Sequence, residues 1–177
     1  MESRMQICEK DSDERLRYIK YCRNPFRKSD IVSTEFDELL IIPEVQHIAF
    51  RNEDILMIGT SLISITHPQS NHVHDIGEFI IYLYRHRAGR IWETGFCFEN
   101  IRGTIKDFHH PHISSKEVLD LGDMGILCIQ KGHFHIYQHL RSGDIPTAVK
   151  LLLQVLHTYT MRGPFLPLES WPRRKQT

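Results

Sequence analysis

The segment from Val45 to Asn100 constrains the fold more than any other part of the chain. Apolar runs rich in Ile, Val, Phe, Tyr and Leu alternate there with short clusters of turn formers, the signature of strands joined by tight connections. Four strands are expected, over Val45–Phe50, Asp54–Thr66, Glu78–His86 and Arg90–Phe98. The separators are Arg51-Asn52-Glu53, His67-Pro68-Gln69-Ser70-Asn71 and Arg87-Ala88-Gly89. Ile63, Ile65, Phe79, Ile81 and Leu83 take alternate positions, as half-buried strands require. Strands this closely joined pair antiparallel, in a meander.

Helical patterns flank the meander. Ser12–Cys22 reads as an N-terminal helix, with Ser12 or Asp13 as cap, Leu16 and Ile19 on one face and Asn24-Pro25 as the stop. A second short helix is expected over Ser33–Leu40, with Thr34 as cap and Pro43 past its end. Toward the C-terminus, Gly143-Asp144-Ile145-Pro146 reads as a helix start, Asp144 capping and Pro146 in the first turn. Val149, Leu152, Leu153, Leu156 and Tyr159 then form an apolar stripe that packs on the sheet. Helix, antiparallel meander, irregular loop and helix make an α+β fold. A chain of 177 residues is enough for one core without disulfide staples. Residues 1–44 read as an N-terminal helical segment of that domain, 45–172 as its core, and 173–177 as a frayed basic tail.

Charge narrows the partners. With 22 basic and 22 acidic side chains the chain lacks the cationic surplus that coating nucleic acid needs. The N-terminus is charged and without the apolar core of a signal peptide, and no run approaches a membrane span, so a soluble cytoplasmic protein is expected. Cys8, Cys22, Cys97 and Cys128 lie far apart with no C-x-x-C pair, which reads as free thiols in a reducing compartment.

After Asn100 the pattern lapses, and an irregular stretch to about Gly132 is expected; long loops of this kind usually carry function. It contains His109-His110-Pro111-His112-Ile113-Ser114 and then Gly125-Ile126-Leu127-Cys128. Apolar residues before Cys128 and Gln130-Lys131-Gly132 after it suit a thiol at the lip of a core-anchored turn; the plain alternative is a small buried hydrophobe. Three of the 12 histidines fall in this stretch and two more just after it. His133 and His135, two apart, share a face on an extended segment, which makes a His/Cys zinc site a rival reading, although no metal-ligand spacing supports it. His110 reads as structural, holding the loop through a backbone hydrogen bond. His72 and His74 fall in an exposed turn, and His47, His86 and His157 show no partner in the sequence. Asn100 either braces the loop or forms a turn, and Tyr137 either shields Cys128 or packs in the core.

His110-Pro111-His112, followed by Gly125-Ile126-Leu127-Cys128, after a four-strand meander and before a helix, resembles the ubiquitin-conjugating (E2) family. Members have an N-terminal helix, a four-stranded sheet, a His-Pro-Asn motif and a Gly-x-Ile-Cys segment with the thioester cysteine. The His-Pro-His form is similar to the prokaryotic E2-like branch, found in operons with a ubiquitin-like protein, an E1-like enzyme and a JAB-type peptidase, in bacterial antiviral defence. Ile76-Gly77-Glu78-Phe79, Phe98-Glu99-Asn100 and the stretch from Tyr159 to Trp171 agree with it, so that the likeness covers residues 45–172. Two features depart from the family: His112 stands where it has asparagine, and 16 positions, about twice the usual gap, separate His112 from Cys128. Ser114–Leu121 reads as an insertion able to form a short helical turn.

The resemblance implies a UBC-like fold and an acyl transferase that needs no cofactor. Cys128 would take a ubiquitin-like modifier from an E1-like enzyme as a thioester and pass it to a lysine of a target protein. His112 would either donate a hydrogen bond to the oxyanion or order the loop, His110 and Asn100 would support it, and Asp120 or Asp123 would orient the lysine or be solvated charges. A catalytically inactive E2-like scaffold that binds a protein partner is the alternative.

Overall fold

The structure, a computed structural model, describes residues 7–8, 29–52, 55–88, 91–102, 105, 107–118, 121–127 and 133–174. Ten strands and three α-helices lie among them: β1 (Ile7–Cys8), α1 (Ser29–Leu40), β2 (Val45–Asn52), β3 (Ile55–Thr60), β4 (Ile63–Thr66), β5 (Val73–Gly77), β6 (Phe79–Ala88), β7 (Ile91–Asn100), β8 (Phe108–His110), β9 (Ile113–Val118), β10 (Gly122–Leu127), α2 (His133–Ser142) and α3 (Ile145–His157). Eight strands form one antiparallel sheet in the order β1-β2-β3-β6-β7-β10-β9-β8, and β4 and β5 pair as a separate hairpin. The fold is α+β, with mostly antiparallel strands. The expected helix over Ser12–Cys22 lies outside the described residues.

β2, β3, β6 and β7 lie side by side in the eight-stranded sheet, with the β4–β5 hairpin inserted in the chain between β3 and β6, in place of the four-stranded meander expected. β6 and β7 stay in register from Phe79 opposite Asn100 to Ala88 opposite Ile91. One face of the sheet carries Ile48, Ile58, Ile81 and Phe98, all fully buried. Against it pack Phe36 and Leu39 of α1, Ile136 and Leu140 of α2, and Val149, Leu152 and Leu156 of α3. The other face holds a second cluster with Met57, Tyr82, Cys97 and Met124. α3 begins as its sequence requires: the Asp144 carboxylate accepts from Thr147 N–H at 3.2 Å, and Pro146 occupies the first turn.

Several expectations are corrected. α1 starts at Ser29, so Thr34 lies inside the helix rather than at its cap. The strand expected over Asp54–Thr66 breaks at Ser61-Leu62, and β4 leaves the sheet to pair with β5. His74 is not in an exposed turn but fully buried in β5, on the same face as Ile76. A histidine fills the inward slot, which hides the alternation from a hydropathy reading. α3 ends at His157, leaving Tyr159 beyond the apolar stripe, and α2 was not expected at all: its buried side is only Ile136 and Leu140 amid polar neighbours.

The largest correction concerns the stretch after Asn100. Instead of an irregular active-site loop, it adds β8, β9 and β10 to the sheet. Ser114–Val118 is strand rather than a helical turn, in register with β10 from Val118 opposite Gly122 to Ile113 opposite Leu127. β9 escapes a pattern search because Ser114, Ser115 and Lys116 interrupt its buried ends, and β10 because two of its six residues are glycine. Gly122, with φ of 84°, supplies the left-handed turn geometry where β10 begins. The tail is not frayed at Arg173 and Arg174 either. Arg173 bridges to His74, Arg174 N–H donates to Val73 C=O at 2.8 Å, and the Arg174 guanidinium binds Asp75 and Ser64. Lys175 lies outside the described residues.

Candidate functional site

Pro111 and His112 form the two-residue turn between β8 and β9, and this His-Pro-His turn is buried. His110 is fully enclosed. Its Nδ1 accepts from His112 N–H at 3.1 Å, so the proton resides on Nε2, which donates to Leu156 C=O at 3.1 Å near the end of α3. Burial drives its pKa down to about 3, with the neighbouring His112 acting in the same direction. The ring is therefore a neutral strut between the turn and α3, in edge contact with Phe79.

Asn100 closes β7 and is buried. Its Nδ2 donates to Ile76 C=O at 2.9 Å and His109 C=O at 3.0 Å, while its Oδ1 accepts from Arg102 N–H at 3.2 Å. Gly77 makes this possible. A Cβ there would collide with the Asn100 carboxamide, and Gly77 also has a φ of 148°, which side chains disfavour. Asn100 N–H donates to His109 Nδ1 at 3.0 Å, so His109 carries its proton on Nε2 and shares it with Ser115 Oγ at 3.1 Å. Burial lowers the pKa of His109 as well.

His112 is almost buried, at 8% exposure, and burial lowers its pKa too. Its Nε2 accepts from Thr160 N–H at 3.2 Å, with Thr160 Oγ1 at 3.3 Å, so the proton lies on Nδ1. The ring thus ties the turn to the segment beyond α3. Both amide protons of Asn100 are likewise bound to backbone carbonyls.

The structure also bears on the 16-residue gap between His112 and Cys128. β9 and β10 are a hairpin, and Leu127, the residue before Cys128, is the register partner of Ile113, the residue after His112. The extra residues loop out and back instead of lengthening the connection. Gly125 permits the close packing: a Cβ would meet Ile113 Cγ2 at 2.5 Å, and His109 Cγ and the Phe98 carbonyl at 3.0 Å. Cys128 itself, Asp120 and the His133 side chain lie outside the described residues.

Other candidates resolve more plainly. Cys97 is fully buried, and burial with the nearby Glu99 raises its thiol to about 12, which makes it inert. Tyr137 packs its ring against Phe96, centroids 5.2 Å apart. Asp123 is exposed on β10. His133 and His135 begin α2, where two positions are about 200° apart and not on the shared face expected of an extended segment. Among the described residues no group of three His, Cys, Asp or Glu side chains is placed to hold a metal ion. No helix there is long and apolar enough to cross a membrane. A surface groove of about 720 Å³ opens between α3 and the turn before β2, lined in part by Ile41, Pro43, Lys150 and His157, and none of the residues of the His-Pro-His turn lines it.

His109, named in the sequence only as part of the histidine run, belongs to this site, and so do two residues that a sequence reading passes over, Ser115 and Thr160. Nothing in the sequence marks them, because their partners come from other strands or from beyond α3. No family model, curated protein or solved structure matches the chain.

Proposed function

We propose that the chain is an E2-like conjugating enzyme: it accepts a ubiquitin-like modifier from an E1-like enzyme on Cys128 and transfers it to a lysine amine of a target protein. The observation that carries this reading is the pairing of Leu127 with Ile113, which brings the end of β10 beside the His-Pro-His turn despite the long separation in sequence. The order of elements supports it further. A helix precedes the adjacent antiparallel strands β2, β3, β6 and β7, and the His-Pro-His turn, β9, β10 and two helices follow. A setting in a bacterial antiviral operon remains part of the same proposal.

In the first step the Cys128 thiolate attacks the E1 thioester carbonyl; a new S–C bond forms and the E1 cysteine leaves as thiolate. In the second, the lysine nitrogen attacks, loses a proton, and expels Cys128. His110, His112 and Asn100 act in this scheme as positioning residues for the loop.

The test is incubation of the protein with a glycine-terminated modifier, its E1-like enzyme and ATP, followed by intact-mass analysis. The expected product is an adduct that thiols release, that Cys128→Ala abolishes, and that Cys128→Ser converts to a thiol-resistant ester. The inactive-scaffold reading draws on the engagement of His112 and Asn100 in backbone contacts. Modifier binding with no adduct would establish it in place of the enzyme.

A further inference from the structure

We infer that the groove between α3 and the turn before β2 is a self-association surface, covered by a second copy of the chain across a two-fold axis. The buried Leu153 of α3 lines it, and Ile41 and Pro43, from the turn that follows α1, form part of its rim. Ile41 is 76% exposed, more than any other large hydrophobic side chain among the described residues. Ser61 N–H donates to Glu44 C=O at 2.8 Å, which sets a second exposed aliphatic residue, Leu62, next to that turn. Apolar side chains scattered singly over a surface need no explanation, but aliphatic residues gathered at the rim of a groove mark a contact site.

The charges select the partner. Glu44 stands beside His157 at the C-terminal end of α3, its carboxylate 3.9 Å from the ring Nε2. Lys150 lines the same groove seven residues earlier, two turns or about 10 Å up the helix. The groove is therefore acidic at one end and basic at the other. Lys150 has no ion pair among the described residues, and the histidine beside Glu44 is charged only when protonated. A two-fold axis through the middle of the groove sets each α3 antiparallel to its copy and exchanges the two ends. Lys150 of one copy then meets Glu44 of the other, at two equivalent contacts, and both Ile41 side chains are covered. A foreign partner would have to carry the reverse charge pattern; a second copy supplies it by symmetry alone. The contact is independent of the proposed thioester chemistry, because no residue of the His-Pro-His turn lines the groove.

The test is sedimentation velocity on the full chain from about 5 to 200 µM, where a reversible monomer–dimer equilibrium is expected. Lys150→Glu sets acid against acid at both contacts and should weaken self-association about tenfold or more. Glu44→Lys sets base against base and should do the same. An equimolar mixture of these two variants should associate again at about the wild-type concentration, because only the mixed dimer has opposite charges at both contacts. Should Glu44→Lys fail to fold, Ile41→Asp takes its place and should weaken self-association about as much as Lys150→Glu, since it puts a charge into the covered centre. A wild-type chain that stays monomeric throughout the range would overturn the proposal. So would single variants that dimerise as the wild type does, or a mixture that remains monomeric.

Discussion

The contact between Gly77 and Asn100 carries a quantitative expectation that a double-mutant cycle can measure. Asn100→Ala removes the amide that donates to the buried carbonyls of Ile76 and His109. A buried acceptor left without its donor costs about 1–3 kcal/mol, so the loss for the pair is about 3 kcal/mol. Gly77→Ala acts on the same bonds from the other side. Its methyl would occupy the space of the Asn100 carboxamide, whose Nδ2 and Cγ lie 2.6 Å from the Cβ position. Asn100 must move, giving up those bonds, and alanine at a φ of 148° adds strain of about 1–3 kcal/mol. The single losses are then about 3 and about 5 kcal/mol. In the double mutant the clash is gone and only the strain is added to the first loss, giving about 5 kcal/mol. The sum of the single losses should exceed the double by about 3 kcal/mol. Urea unfolding followed by tryptophan fluorescence reads all four corners. Additivity within about 0.5 kcal/mol would refute the view that Gly77 exists to seat Asn100.

Acid should destabilise the fold through His110. Its folded pKa of about 3 lies below the unfolded value near 6.5, so the unfolded chain binds the extra proton and stability falls as pH drops through this interval. One ring contributes about 1.4 kcal/mol per pH unit below 6.5, and His109 and His112, also lowered by burial, steepen the slope. Urea midpoints at pH 7.0, 5.5 and 4.5 test this, and a flat profile contradicts it. Two glycines of β10 should differ sharply. Gly125→Ala meets Ile113, His109 and Phe98 and should lose about 2–3 kcal/mol, whereas Gly122→Ala enters open space and bears only left-handed backbone strain of about 1–2 kcal/mol. The reverse order in thermal melts would count against the β9–β10 packing. Asp144→Ala should cost about 1 kcal/mol in the same melts through loss of the α3 cap; an unchanged melt would show the cap to be idle.

The parts of the fold legible in the sequence are those where a local rule and the tertiary environment agree. β6 and β7 stand out as runs of apolar strand formers because both of their faces are buried, one against the helices and one in the second cluster, and α3 carries its cap, its proline and its stripe in consecutive residues. β9 and β10 are illegible for the opposite reason. Their stability rests on pairing with each other and with β7, and the residues that permit this, Ser115 and Gly125, have weak strand propensity of their own. The site divides the same way. His110 and Asn100 stand out by motif and position, but the atoms that fix them, Leu156 C=O and Ile76 C=O, are backbone and carry no sequence signal.

The excess of histidine follows from this kind of pairing. A neutral imidazole presents an acceptor and a donor on separate edges of a rigid ring, so one side chain can join two stretches of backbone that a carboxamide, with both groups on one carbon, reaches only from a single point. His110 takes His112 N–H on one edge and gives to Leu156 C=O on the other. His109 links the end of β7 to β9 through Asn100 N–H and Ser115 Oγ. His74 reaches Trp171 C=O, and His67 accepts from Gln69 and Ser70 N–H while facing Glu169. His112 ties the turn to Thr160, beyond α3. At four of these rings, His67, His74, His110 and His112, the partner includes the C-terminal stretch from Leu156 to Trp171, which has little regular structure of its own after α3. Histidine replaces the ladder that such a stretch lacks, and at His110 and His112 the accepting nitrogen serves only while the ring is neutral.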